Sequence, residues 1–453
     1  MRKRLLSSVA EVVEGRLHGT DVTVTGAASD SRAVSVGDLF VAIRGERVDG
    51  HRHVDEAFRR GATGALVTTD EGFAGPTVHV SDAVSALLAL AADERVHMGA
   101  EVVGVTGSSG KTSVKDLAAA VLATRHRVHA SPRSFNTEVG VPLTLLNVPA
   151  GAEVIVCEMG SRGPGHIARL CEVGRPRIGV VTNVGPAHLE MFGSIGAVAD
   201  AKAELVESLP PDGTAVLNAD DPIVRGFHGR TEARALRFGV APDADVRGED
   251  VTLDGMGIPS FTLHTPEGSE RVELAVPGEH MAWNALAAAA VGVALGLTAG
   301  ECAIGLKEAR VSPWRMEVTE GANGIRIVND AYNANPASMA AALKAARWMA
   351  REGRCVAVLG HMAELGSASA EEHERVGELA ARLGIDLLVV VGEAARLIGV
   401  GAVREGVEPD RVLHCDSLDE AVDAVRSVGR PGDVVLVKGS RVAGLERVVE
   451  ALR

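Results

Sequence analysis

Short apolar runs rich in Val alternate along this chain with longer segments in which apolar residues recur every three or four positions. EVVGVT at 101–106, VIVCE at 154–158, IGVVTN at 178–183 and TAVLN at 214–218 are such runs. Continuous apolar stretches of this length predict strands buried on both faces, and the periodic segments between them predict the covering helices. A short strand is expected at 128–130, and helices at 117–124, 166–173, 195–208 and 281–297. That alternation predicts a parallel sheet with helices on both faces. From about residue 246 to 276 the period shortens, and LDGM and TPEG interrupt it, which predicts antiparallel hairpins added to the sheet.

The pattern on either side has the same α/β character. Toward the amino terminus it predicts strands at 38–43, 65–69 and 77–80 and helices at 54–60 and 83–98. Beyond Ser312-Pro313 it predicts strands at 325–329, 355–359, 387–391, 412–415 and 434–437, with helices at 338–351, 370–383, 418–428 and 442–451. The expectation is three α/β domains, at 1–98, 99–311 and 312–453, in a chain long enough for several cores.

Composition narrows the classes. Net charge is −14 and no basic tract occurs, which argues against a nucleic-acid partner. The longest apolar run, 285–297, is too short for a membrane span and contains glycine. The basic start MRKRLL lacks the apolar core of a signal peptide. Five cysteines, an odd number without a Cys-x-x-Cys pair, predict buried free thiols. A cytoplasmic protein is expected.

The strand at 101–106 runs straight into Gly107-Ser108-Ser109-Gly110-Lys111-Thr112, and a helical pattern follows. Glycines let backbone N–H groups face an anion, a helix N-terminus adds positive potential, a Lys reaches outer phosphates and a Thr can hold Mg²⁺. The Walker pattern wants a further glycine five residues before Gly110, where Val105 stands. In an open α/β sheet ligands bind beyond the carboxyl ends of the strands. The polar residues at such ends are Glu158, Asn183, His188, Asn218, Asp220, Asp330, His361 and Lys438 to Arg441. Glu158 suits a Mg²⁺ ligand, against a helix-capping role. His188 is a second metal or phosphate ligand, or a structural histidine. Lys202 lies on an amphipathic helical pattern, where a surface lysine is the default. Ser31 and Arg32, after Asp30, form a turn or meet an anionic ligand.

These motifs in this order resemble the Mur ligase family, whose members make amide bonds in the peptidoglycan precursor at the expense of ATP. VTGSSGKT, EMG, TNVGPAHLEMFGS, AKAEL, NADD and HMAWNALAA carry the central resemblance. DAYNANPASM at 330–339, VLGHMAELG at 358–366, VLVKGSR at 435–441, FNTEVGVPLTLL at 135–146 and DSRAVSVGDLFVAIRGERVDGH at 30–51 are similar to the members that join D-alanyl-D-alanine to UDP-N-acetylmuramoyl-tripeptide. The family implies one domain for the UDP substrate, one for ATP, and a Rossmann-like third that closes over both. By resemblance, Gly107, Ser108, Ser109, Gly110, Lys111, Thr112 and Ser113 would hold the ATP phosphates. Lys111 would bridge the outer two groups, and Thr112, Glu158, His188 and Lys202 would place Mg²⁺. Lys202 matches a lysine that relatives carry as a carbamate; Lys111, His188 and Lys202 are thus the expected catalytic residues. Asn284 would approach adenine, Arg315 and Asp330 the nucleotide, Tyr332 and Asn333 the incoming amine, Ser31 and Arg32 the uridine diphosphate end, and Asn136 the substrate. Departures from common family residues fall at Asn136-Thr137, Asn329, Ser161-Arg162-Gly163 and His361. The implied chemistry passes through an acyl phosphate, in a monomer. Two other readings are another ligase of the family, against which DAYNANP argues, and a nucleotide-gated switch, against which the metal-ligand set argues.

Overall fold

The computed structural model describes residues 1–45, 48–69, 72–186 and 189–453. Among the described residues three larger sheets with covering helices form three α/β units, and a two-stranded ribbon pairs Arg4–Leu5 with Thr23–Val24. The central sheet has nine strands in the order Gly268–Glu273, Pro259–Thr265, Val246–Leu253, Arg234–Gly239, Thr214–Asn218, Ile178–Val181, Glu101–Thr106, Val154–Glu158, Val128–Ala130. Every neighbour pair from Val128–Ala130 to Val246–Leu253 is parallel, and the last two pairs are the expected antiparallel addition. Glu101–Thr106 lies between Val154–Glu158 and Ile178–Val181. The chain leaves it toward one edge of the sheet and later crosses to the other, so a crevice opens beyond its carboxyl end.

The helix Lys111–Leu122 covers this centre. It buries Val114, Leu117, Ala118, Val121 and Leu122 against the helix His280–Ala294 and its neighbours. Ala299–Glu308 comes closer still: a Cβ on Gly305 would lie 2.5 Å from Val121 Cα. The phosphate-loop helix is thus held from behind by backbone contact.

Before it, five strands run in the order Arg16–His18, Thr77–His79, Gly64–Val67, Asp38–Val41, Gly26–Ala28. The helix Ala83–Val96 joins this unit to the central one by packing on Gly140–Leu146 and His166–Gly174. Asn147 completes the seam: its Nδ2 donates to Ala27 O at 2.8 Å, and its Oδ1 accepts from Ala27 N at 3.1 Å.

The third sheet runs Glu317–Glu320, Arg326–Asn329, Val434–Lys438, Cys355–Leu359, Leu387–Val391, Val412–Cys415, parallel except for its first pair. The loop after Arg326–Asn329 faces the central phosphate loop. All five cysteines are free and buried. Among the described residues no helix is long and apolar enough to cross a membrane.

Several elements escape the hydrophobic pattern. Arg234–Gly239 carries two arginines within a strand of six. Gly140–Leu146 has Pro142 in its first turn, where proline is tolerated because its missing N–H would be unpaired anyway. Ala299–Glu308 is marked by a capping box, Thr298 and Glu301 exchanging hydrogen bonds, rather than by apolar period.

Candidate active site

The loop from Gly107 to Gly110 is short because it begins where the strand ends. Val105 is fully buried inside that strand, so the glycine absent from the longer Walker pattern has no work to do here. Gly107 has φ +148° and Gly110 φ +80°. The adjoining strand end clamps the loop: Ser109 N donates to Asn183 Oδ1 at 2.9 Å, Ser108 N to Asn183 O at 3.0 Å, and Thr182 Oγ1 to Ser109 O at 2.6 Å. A Cβ on Gly107 would lie 1.9 Å from Thr182 Oγ1. Gly107→Ala is therefore expected to unseat the loop and weaken binding of ADP at least tenfold by calorimetry, an order-of-magnitude figure for lost anion contacts. Unchanged affinity in the folded variant would contradict this geometry.

Thr112 and Glu158 meet at the start of the helix. Thr112 Oγ1 donates to Glu158 Oε2 at 2.6 Å, and Asn136 Nδ2 donates to Glu158 Oε1 at 2.7 Å. Both Thr112 and Glu158 are almost wholly buried. A neutral hydroxyl beside one hard carboxylate suits Mg²⁺, which takes one or two protein oxygens and fills its shell with phosphate oxygens and water. Among the described residues no group of three or more His, Cys, Asp or Glu side chains forms a closed metal cage. His188 lies outside the described residues.

The Lys111 ammonium donates to Gly107 O at 2.7 Å. Burial pulls its pKa below the ordinary lysine value, the Glu158 carboxylate opposes that pull and the Arg315 guanidinium adds to it. Lys202, on the helix Ile195–Glu207, is 1% exposed, so the surface default does not hold. Burial, followed by the nearby Lys111 charge, brings its pKa down to about 7.

The third unit reaches into the same place. Arg315 Nη2 donates to Thr112 Oγ1 at 2.7 Å, and its guanidinium lies 4.3 Å from the centre of the Tyr332 ring. The Tyr332 hydroxyl is hydrogen-bonded to Ser134 Oγ of the central unit. Asn335 Nδ2 donates to Ser108 O at 3.4 Å. Asp330 takes a 2.5 Å ion pair from the buried Lys438, whose Nζ also donates to Asn333 O at 2.9 Å. Lys438 thereby fixes the path of the AYN stretch. Asn284 stands against Gly110, where a Cβ would come within 2.6 Å of its Oδ1. These side chains line one cavity of about 740 Å³, together with Trp283, Trp348 and Lys344.

Ser31 and Arg32 are not part of that cavity. Ser31 is buried and donates to Glu56 Oε2 at 3.2 Å; Arg32 is exposed and pairs with Asp30 at 2.7 Å. His361 lies in a separate crevice of about 320 Å³ in the third unit, its ring stacked on His373 at 5.9 Å. Asp220 serves the backbone, accepting from Val240 N and Ala241 N, and also accepts from Trp283 Nε1 at 2.7 Å. Sequence reasoning missed Ser134 and Trp283. Ser134 lies four residues after the short 128–130 strand, itself a strand-end signal.

Comparison with known proteins agrees with this architecture. The Mur ligase middle domain profile matches residues 105–292, the Mur ligase glutamate ligase domain residues 314–441, and the Mur ligase family catalytic domain residues 23–120. The UDP-N-acetylmuramoyl-tripeptide–D-alanyl-D-alanine ligase of Mycobacterium tuberculosis is 40% identical over 99% of this chain and 97% of its own. A crystal structure of MurF from Acinetobacter baumannii superposes with TM-score 0.86 at 28% identity, covering 100% of this chain and 99% of that one. MurF from Thermotoga maritima in complex with ADP gives TM-score 0.80 at 31% identity, over 95% and 97% of the two chains. On three matching domain profiles and full-length similarity, the chain belongs to the Mur ligase family.

Proposed function

We propose that this chain joins D-alanyl-D-alanine to UDP-N-acetylmuramoyl-tripeptide with ATP, releasing ADP and phosphate. The observation that carries the reading is the meeting of the 330–335 loop with the phosphate loop in one cavity, through Arg315 on Thr112, Tyr332 on Ser134 and Asn335 on Ser108. Relatives named for this reaction, similar from end to end, support it.

A carboxylate is a poor electrophile, so it must first be activated. Phosphoryl transfer from ATP to the tripeptide carboxylate makes an acyl phosphate; the dipeptide amine attacks its carbonyl carbon, and phosphate leaves. The chain's part is positioning and charge stabilisation. Residues 107–113 present amides and hydroxyls to the phosphates, and Lys111 swings from the Gly107 carbonyl to the transferring group. Thr112 and Glu158, with His188 and Lys202 by resemblance, would hold Mg²⁺, and the ion would supply neutralisation of charge on the phosphates. Arg315 and Asp330 face the nucleotide, Asn284 backs the loop on the adenine side, and Tyr332, Asn333 and Asn136 flank the acyl centre. Closure of the third unit excludes water that would hydrolyse the acyl phosphate.

Lys202 fits carbamylation. With a pKa of about 7, much of it is free amine at neutral pH, the form that adds CO₂. The product is an oxygen-rich anion suited to Mg²⁺.

In this reading residues 1–98 take the uridine diphosphate end through Ser31 and Arg32, residues 99–311 take ATP, and residues 312–453 close over both. In this reading the chain acts as a monomer. Five free buried thiols support a reducing, cytoplasmic setting.

The test omits each substrate in turn and follows phosphate release. Release is expected only with ATP, the UDP-linked tripeptide and D-alanyl-D-alanine together. Brisk release with a free amino acid replacing the dipeptide would defeat the reading.

A further inference from the structure

Three lysines are fully buried: Lys202, Lys438 and Lys115. The first two have places in the reaction described above; Lys115 has none, yet its ammonium is completely partnered. Its Nζ donates to Ser131 O at 2.7 Å and to Arg133 O at 2.8 Å, and pairs with Asp116 Oδ1 at 2.7 Å. Three N–H donors meet three acceptors, all inside the protein.

Both carbonyls belong to the loop that leaves the Val128–Ala130 strand, and that loop follows a strained path. Arg133 has φ +50°, a conformation that costs a non-glycine residue energy and persists where neighbours over-determine it. Lys115 supplies that constraint, because it binds the carbonyl of Arg133 itself. The neighbouring side chains then do specific things. Ser131 Oγ accepts from Glu158 N at 3.2 Å, Ser134 meets the Tyr332 hydroxyl, and Asn136 Nδ2 holds Glu158 Oε1 at 2.7 Å. The anchor sits one helical turn beyond Lys111. Its partner Asp116 also accepts from Ser312 N at 2.7 Å, at the entrance to the third unit.

We propose that Lys115 is a positioning residue for the Mg²⁺ and acyl-acceptor side of the site: its buried ammonium clamps the 131–136 loop in a strained path, so that Asn136 orients Glu158 and Ser134 receives Tyr332. The proposal rests on the reading of Glu158 as a Mg²⁺ ligand in an ATP-dependent ligase. It makes the phosphate-loop helix a ruler that sets both the phosphate side, through Lys111 and Thr112, and the acceptor side, through Lys115.

The test is calorimetric binding of a non-hydrolysable ATP analogue over a range of Mg²⁺ concentrations, so it needs no turnover. Lys115→Met and Asn136→Ala are each expected to raise the Mg²⁺ concentration for half-maximal binding at least fivefold. The double variant is expected to shift no further than the larger single shift, since both act on one carboxylate. Arg133→Gly, which relieves the strain, is expected to recover part of the shift in the Lys115→Met background. A purely structural lysine would lower the melting temperature and leave the Mg²⁺ dependence of the folded protein unchanged; that result overturns the proposal. Fully additive shifts also overturn it. Should Lys115→Met not fold, Asn136→Ala alone decides: an unchanged Mg²⁺ dependence removes the route from the loop to Glu158. Analogue binding that is independent of Mg²⁺ in the unaltered protein would instead count against the underlying ATP–Mg²⁺ reading.

Discussion

Lys111→Ala is expected to lower kcat by about 10²–10⁴, equivalent to about 3–5 kcal/mol of transition-state stabilisation, the value of a preorganised charge on a transferring phosphoryl group. The same change is expected to leave the melting temperature at pH 7 level or higher. Lys111 shares the loop with the Arg315 cation, and its pKa is already pulled down chiefly by burial. Removing it deletes a desolvated charge whose hydrogen bond is to a carbonyl of its own loop. Lys111→Arg is not expected to restore the rate, because a planar fork does not replace a compact ammonium on a point contact. Single-turnover phosphate release and a thermal melt check both halves. A kcat within tenfold of the unaltered enzyme would remove Lys111 from the chemistry.

Lys202→Met is expected to separate stability from activity. Unfolded, this lysine ionises near 10.5; folded, at about 7. Between those values the unfolded chain holds a proton that the folded chain has lost, so stability contributed by this group rises with pH across the window, by up to about 1.4 kcal/mol per pH unit. Below about pH 7 both states carry the proton, the slope vanishes, and the burial penalty is felt in full. Lys202→Met should therefore stabilise the fold at pH 6 by an amount on the order of 3 kcal/mol and flatten the stability curve from pH 7 to 9. Activity should fall sharply in the same protein, and in Lys202→Ala a short-chain carboxylic acid should restore part of it by standing in for the carbamate. Urea melts at several pH values check the first claim. Parallel curves for the two proteins would refute it, and a fully active Lys202→Ala would end the metal role.

How much of this was legible beforehand follows from the range of the interactions. Strands buried on both faces announce themselves as apolar runs: Val154–Glu158, Thr214–Asn218, Cys355–Leu359 and Leu387–Val391 have the bounds that pattern predicts. Edge strands need not: Val128–Ala130 and Val412–Cys415 lie where the pattern predicts them, but others escape it. Arg16–His18 and Glu317–Glu320 each have a neighbour on one side only and can be polar. Arg396–Arg404 hides behind two glycines at close contacts: Gly399 packs on the His414 and Val412 side chains, and a Cβ on Gly401 would lie 2.1 Å from Glu374 O. In the site, Thr112 and Glu158 could be paired because Glu158 closes the strand next to the one that runs into the phosphate loop and its helix. Lys202 could not be placed, since a helical period cannot show which covering face is itself covered. Ser134 with Tyr332, and Arg315 with Thr112, join residues about two hundred positions apart in different units, and no local spacing encodes that.

The clasp between the third unit and the phosphate loop bears on inhibitor design. Arg315 and Tyr332 are stacked on each other while one holds Thr112 and the other Ser134. A molecule that fills the cavity beside this pair, with an aromatic group against Trp283 and an acceptor for Arg315, gains from the shape the clasp holds. Such a compound competes with domain opening as well as with ATP, so its residence time follows the rate at which the clasp lets go.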